Sequence, residues 1–431
     1  MGRPGRRFTP ALVFLSGVAL ALRLTYVAVA KDSTLSVGDQ TYYYLQAKLL
    51  VAGEFFVNPF AAIFLDVQKP AGEHGPLVTV FLAAFDLLGA DSVFRQRLAL
   101  AALGAVTVVL TGLVGYRVAG SRTGLLAAGI MAVYPNVWAW DGLLLSESLT
   151  LLLVVAAMLL AYRVADRPTI ISVVVLGAVC GLATLSRSEM LLLAPMLLIP
   201  LLARRRTLTL WRRVGLLGVA AAVILAVLSP WVIRNLVVFE RPVFISTGYD
   251  IILENANCDS TYYGDLLGWW DLGCQSSEGA KVDQSVQAQR VRERALDYIG
   301  DHAGRVPVVV VARLGRMLDV YRPLQNVRLT EHDGREAIVG WAGLAFYYPL
   351  VVAAACGAAV LRRRATPISP LIGPIAVVAL VAVFASGNTR YRVPAEGSIV
   401  VLAAVAIDSA LGWWARRRAA RPKASASFLE E

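Results

Sequence analysis

The feature that most limits what this chain can become is a succession of apolar runs, each long enough, or nearly so, to cross a bilayer. In lipid a backbone must satisfy its own hydrogen bonds, so such runs fold as helices unless they alternate like barrel strands, and these do not. After the first run within 1–30, the spans are expected at 98–117, 124–140, 143–162, 169–185, 190–203, 214–233, 337–361, 367–385 and 395–414. With 57% hydrophobic and 16% charged residues, the chain reads as an all-α, polytopic membrane protein of about ten transmembrane helices.

The net charge of +11 points to a membrane topology rather than to nucleic acid, because the basic residues fall in short clusters between apolar runs. These are Arg3/Arg6/Arg7, Arg117/Arg122, Arg163/Arg167, Arg204 to Arg206 with Arg212/Arg213, Arg362 to Arg364, and Arg416 to Arg418. All lie on the cytoplasmic side if the weaker stretches 76–88 and 306–318 are interfacial helices rather than spans. The first run ends in Ala28-Val29-Ala30, which resembles a signal-peptide cleavage site, but its length favours a retained span despite Arg23.

The chain then divides into a first span (1–30), a first external loop (31–97), spans two to seven (98–233), a second external loop (234–336), the last three spans (337–415) and a cytoplasmic basic tail (416–431). The tail from 419 onward is expected to be disordered, and no internal repeat suggests a transporter built from two halves. Cys258 and Cys274 share the second external loop and are expected to form a disulfide in an oxidising compartment. Cys180 and Cys356 fall inside spans and read as packing residues.

The external face collects the polar chemistry. The stretch Ser36-Val37-Gly38-Asp39-Gln40-Thr41-Tyr42-Tyr43-Tyr44 places an acid and a run of aromatics where the first span ends. Asp39 is either a helix cap or a base at the bilayer surface. Lys69-Pro70, Gly72-Glu73-His74-Gly75-Pro76-Leu77, Arg95 and Arg97 follow in the same loop. Asp141, Ser146-Glu147-Ser148 (about one turn inside the fourth span), Arg187-Ser188-Glu189, Arg234-Asn235 and Asn388-Thr389-Arg390-Tyr391-Arg392-Val393-Pro394 sit at the other external ends. Arginines at span ends also anchor helices, but this many ionisable groups at one face point to function. Carboxylates Asp39, Glu147 and Glu189 beside several guanidiniums suit a phosphate leaving group and a base that takes a hydroxyl proton.

Gly38-Asp39 with Tyr42/Tyr43, Gly75-Pro76-Leu77, Arg97, Leu145-Ser146-Glu147-Ser148-Leu149, Gly181 through Arg187, Pro230-Trp231 with Arg234-Asn235, Ile245-Ser246-Thr247 and Arg390-Tyr391-Arg392-Val393-Pro394 together resemble the GT-C membrane glycosyltransferases. The likeness is to the family-39-like group, akin to protein O-mannosyltransferases and the lipid A aminoarabinose transferase. It implies transfer of a sugar such as mannose or arabinose from a polyprenyl-phosphate donor, with inversion, to a hydroxyl of a glycolipid, cell-wall glycan or protein. The reaction would run at the outer face of a bacterial cytoplasmic membrane. It implies Asp39 as general base, and Lys69, Arg187, Arg234, Arg390, Tyr391 and Arg392 around the donor phosphate. Tyr43, His74, Arg97, Glu147 and Glu189 would orient sugar or acceptor. Where protein O-mannosyltransferases tend to show Asp-Glu this chain has Asp39-Gln40, and the large domain that follows the spans in some relatives has no counterpart. The metal-binding acids of oligosaccharyltransferases are not evident either, so a divalent cation is open but not indicated, and His74 and His302, which could bind one, read as loop histidines. The competing expectation is a lipid-linked sugar or anion flippase that uses the same arginines without chemistry.

Overall fold

The computed structural model describes residues 7–31, 33–35, 38–276 and 282–419. Arg3, Arg6, Ser36, Val37 and the expected tail beyond Ala419 lie outside the described residues. The regular secondary structure of the described residues is helical apart from one isolated bridge between Val57 and Pro70. The long helix α1 (Phe8–Ala30) leads to the short α2 (Asp39–Val51), α3 (Pro59–Phe64) and α4 (Leu77–Leu87). Then come α5 (Val93–Ala119), α6 (Ser121–Val133), α7 (Pro135–Trp138), α8 (Glu147–Asp166), α9 (Ile170–Ser186), α10 (Leu193–Arg204) and α11 (Leu210–Val238). A second group of short helices follows: α12 (Gly248–Asn255), α13 (Asp259–Tyr262), α14 (Gln284–Asp301), α15 (Val306–Met317) and α16 (Pro323–Leu329). The described chain ends with α17 (Ala337–Arg363), α18 (Ser369–Phe384) and α19 (Val393–Ala419).

Six helices among the described residues are long and apolar enough to cross a bilayer: α1, α5, α8, α11, α17 and α19 with the turn before it. Among the shorter apolar helices are α4, α6, α9 and α18. The protein is a multi-pass membrane protein. Two expected spans are broken. Pro135 has no amide hydrogen to donate and drives Tyr134 to extended backbone (φ −73°, ψ 112°), so α6 stops at Val133 instead of running to Trp140. Leu143 is likewise extended (φ −115°, ψ 140°), and α8 begins only at Glu147.

The two largest apolar cores among the described residues share α8. One face of α8 packs with α1, α5, α6, α17 and α19 through Leu151, Val155 and Met158, and the other meets α9, α10 and α11 through Val154, Ala157 and Ala161. Short connections gather the basic helix ends on one face, where Arg117 pairs with Asp166, Arg122 with Asp408 at 3.2 Å, and Arg364 donates to Ser409 at 3.0 Å. The described residues of 31–92 and 239–336 lie at the opposite ends of these helices. Lys31 ties them together by pairing with Glu336, and Cys258 is bonded to Cys274.

A buried ion pair joins α1 to the turn before α8. Arg23, which interrupts the first apolar run, donates from Nε to Asp141 Oδ2 at 2.7 Å and from Nη1 to the carbonyls of Ala19 and Ala132 at 3.2 and 3.1 Å. Gly104 makes room for it, since a Cβ there would lie 2.1 Å from the Asp141 carboxylate. Losing one member of a buried pair strands the other charge. Asp141→Leu is therefore expected to cost about 3–5 kcal/mol in detergent-solubilised thermal unfolding, and adding Arg23→Met is expected to recover most of it.

Candidate active site

Breaks in the helices, rather than the helices, build the site. Gly38, at φ 143° and ψ −154°, holds a backbone conformation open essentially to glycine alone and starts α2 at the next residue. Gly38 occupies the cap position, so Asp39 makes no capping bond and its carboxylate is turned elsewhere. Asp39 Oδ2 accepts from Arg390 Nη1 at 2.8 Å. Arg390 sits in the 3-10 turn Thr389–Arg392, where Asn388 Oδ1 accepts from its amide at 2.9 Å.

Glu147 stands at the first position of α8, not one turn inside, because Gln40 Oε1 accepts the Leu144 amide at 3.2 Å and keeps that segment out of the helix. Its carboxylate is fully buried, and Oε1 accepts from Arg390 Nε at 2.5 Å and Arg187 Nη1 at 2.8 Å. Arg187 leaves α9 in extended backbone, donates from Nε to Glu189 Oε1 at 2.6 Å and lies 4.9 Å over the Tyr391 ring. Asp333, from the turn before α17, accepts from Arg390 Nη1 at 3.2 Å. Gly75 packs so closely on the end of α9 that a Cβ would lie 2.3 Å from the Leu185 carbonyl oxygen. That approach sets His74 Nε2 3.6 Å from Asp39 Oδ1, its ring against Tyr42 and Tyr43 at 4.9 and 4.8 Å. The amide of Gly248 donates to the Glu73 carbonyl at 3.0 Å and docks α12 beside this loop.

These groups line a cavity of about 180 Å³. Asp39, Tyr43, Glu73, His74, Arg187, Glu189, Arg390 and Tyr391 form its polar wall, and Ile251, Ile252, Val381 and Ala385 its apolar one. Such a cavity suits a ligand with a polar head and an apolar chain. Arg187 and Arg390 each keep Nη2 without a hydrogen bond among the described residues, so both still have N–H groups to offer an anion.

Among the described residues, five carboxylates (Asp39, Glu73, Glu147, Glu189, Asp333) surround these two guanidiniums. The Asp39 side chain stays 36% exposed. Burial raises its pKa, but Arg390, then His74 and Arg187, outweigh that and hold the carboxyl below its ordinary range. Asp333 goes the other way: burial lifts it to about 6 against the pull of Arg390, with Asp39 and Glu147 adding to the rise. Glu73 is raised too, by burial first and by Asp39, with His74 opposing.

Of the residues singled out from sequence, Asp39, Tyr43, His74, Arg187, Glu189, Arg390 and Tyr391 line the cavity, and Glu147 braces its arginines. Four do not reach it. Lys69 donates to the Val282 carbonyl at 3.0 Å, and the buried Arg97 to that of Thr34 at 3.1 Å. Arg234 donates to the carbonyls of Ala71 and Phe56 at 2.7 and 2.8 Å while lying over Trp231, Phe239 and Phe56. Arg392 is buried against Glu396 and Asp319 at 2.7 and 2.8 Å. Glu73 and Asp333 enter the site without having been singled out. Asp333 was signalled by the same rule as the rest, an acid where a span begins. Among the described residues no group of three or more His, Cys, Asp or Glu side chains is placed to hold a metal ion.

Residues 73–233 match the model of a family described as dolichyl-phosphate-mannose-protein mannosyltransferase. No curated protein matches the chain significantly. Among solved structures, the chain is similar to the archaeal oligosaccharyltransferase AglB from Archaeoglobus fulgidus in complex with an inhibitory peptide and a dolichol-phosphate. The TM-score is 0.57 at 16% identity, over 96% of this chain and 51% of that one. The oligosaccharyltransferase from the same organism, tethered to an acceptor peptide containing the NVT sequon, aligns with TM-score 0.57 at 14% identity, again over 96% and 51%. This chain thus spans about half the length of these structures.

The raised carboxyl of Asp333 has a consequence for stability. Between the unfolded value near about 4 and the folded value of about 6, Asp333 is protonated only when folded, so its stabilising contribution is complete below that window and is lost as pH rises through it. Asp333→Asn is therefore expected to raise the melting temperature relative to wild type by more at neutral pH than at pH about 4, measured by differential scanning fluorimetry.

Proposed function

The chain has the GT-C fold, and from that fold and the cavity we propose that the protein is a membrane glycosyltransferase using a polyprenyl-phosphate sugar as donor. The acceptor is a hydroxyl of a glycolipid, a cell-wall glycan or a protein. The single observation that carries this reading is the meeting of Asp39 with Arg187 and Arg390 in a cavity walled by polar groups on one side and apolar ones on the other. With the basic helix ends toward the cytoplasm, the cavity faces the outer side of the cytoplasmic membrane.

In the proposed reaction the acceptor oxygen attacks the anomeric carbon from the face opposite the phosphate, giving inversion. Asp39, ionised because guanidiniums surround it, accepts the hydroxyl proton. The free Nη2 groups of Arg187 and Arg390 receive the charge that develops on the departing lipid phosphate, and Tyr391 packs beside them. Glu147 and Glu189 hold the arginines in place rather than touching substrate. Tyr43 is left to orient sugar or acceptor.

Mass spectrometry of envelope glycans from a deletion strain is expected to show one missing sugar. Complementation with wild type should restore it. Asp39→Asn should lower transfer by at least about 10²-fold while binding of undecaprenyl phosphate to the purified protein stays near wild type. An Asn variant that turns over like wild type would sink the assignment. Arg187→Lys, which loses the planar fork, is expected to weaken undecaprenyl phosphate binding while the protein still folds.

A further inference from the structure

The weak point of a carboxylate base in this cavity is that it cannot keep what it takes. Asp39 is bonded through Oδ2 to Arg390, which stabilises its ionised form and makes its protonated form a stronger acid than an ordinary carboxyl. A proton drawn from an acceptor hydroxyl needs a better holder close by. The neighbouring imidazole fits that need by position: His74 Nε2 lies 3.6 Å from Asp39 Oδ1, the carboxylate oxygen not given to Arg390. Among the described residues the same Nε2 is buried and has no hydrogen-bond partner, a state that is costly in a finished structure. Tyr42 and Tyr43 hold the ring from two sides, so it is aimed rather than loose. The rest of the ring lines the cavity, with 20% of the side chain exposed there.

We propose that His74 is a catalytic residue, the proton acceptor that completes the transfer, with Asp39 Oδ1 as the relay between the acceptor hydroxyl and His74 Nε2. This rests on the glycosyltransferase reading above. As the acceptor oxygen bonds to the anomeric carbon, its proton moves to Asp39 Oδ1. The bond from that carbon to the phosphate oxygen breaks, and its electron pair leaves with the lipid phosphate. The proton then passes to Nε2, and the imidazolium loses a proton to water through the open cavity once product has left. Asp39 is ionised again for the next turnover. The 3.6 Å gap is the length of a catalytic contact that closes only when substrate is bound.

Asp39 from α2, Glu73 beside it and Glu189 from the turn after α9 share the cavity wall with His74, as do Arg187 and Arg390.

Two measurements decide the matter. In the complemented deletion strain, His74→Gln and His74→Ala are expected to lower glycan transfer by about 10²-fold, and external imidazole is expected to restore part of the loss in His74→Ala alone. In the purified full chain, with ¹⁵N-labelled histidine and three histidines to assign, the His74 titration midpoint is expected to move down in Asp39→Asn. Wild-type transfer by His74→Gln overturns the proposal. So does a loss that imidazole leaves untouched together with a midpoint indifferent to residue 39, which is the outcome for a merely structural ring. If the deletion strain lacks no glycan, the glycosyltransferase reading and the transfer step fall with it, while the titration still decides whether Asp39 and His74 share a proton.

Discussion

Arg390 is the point on which the cavity depends. Its guanidinium binds carboxylates from three distant parts of the chain, Asp39, Glu147 and Asp333. Placing so many charges away from water is favourable only when each finds its partner with good geometry. The bundle achieves this by interrupting its helices at the same level. α8 starts late, α9 ends in extended backbone, and a 3-10 turn precedes α19. Because α8 is shared by the two largest apolar cores, the buried Glu147 at its tip is fixed by packing on either side. The rigid part of the molecule thereby ends in the charge that orients both arginines.

Two residues further on, the same turn serves the opposite purpose. In a 3-10 turn of three residues per revolution, side chains two apart point in different directions. Arg390 opens on the cavity, while Arg392 runs inward to Glu396, Asp319 and the Met317 carbonyl, with its guanidinium 3.7 Å over the Tyr347 ring. Tyr134 donates to Glu396 and accepts from Asn136, which extends this inner network to the break after α6. Asp319 holds its place at φ 53°, a left-handed conformation unusual for Asp outside turns. One arginine meets ligand space and the other fastens the turn that presents it.

This division explains what could and could not be read from the sequence. The helices followed from apolar length, and the level of the site followed from polar groups recurring at alternate ends of those runs. Which arginines reach the cavity did not follow, because Arg234 and Arg392 look the same in sequence as Arg187 and Arg390. What separates them is tertiary: Arg234 finds two carbonyls and three aromatic faces, Arg392 two buried acids. The start of α8 was missed for a similar reason. Leucines 143 to 145 are apolar enough to be helical, yet Gln40, more than a hundred residues earlier, takes the amide of Leu144 within the non-helical approach to Glu147. Pro135 was a local signal that apolar length overrode.

The excess of carboxylates over guanidiniums around the cavity has an effect on whatever anion enters it. Arg187 and Arg390 are already neutralised by acids, so a phosphate arriving at their free Nη2 groups adds negative charge to a pocket that holds a surplus. Asp333, poised at about 6, and Glu73, raised in the same sense, are the groups best placed to absorb that charge by taking up protons. Binding of an anion and protonation of the pocket are therefore thermodynamically coupled: each draws in the other.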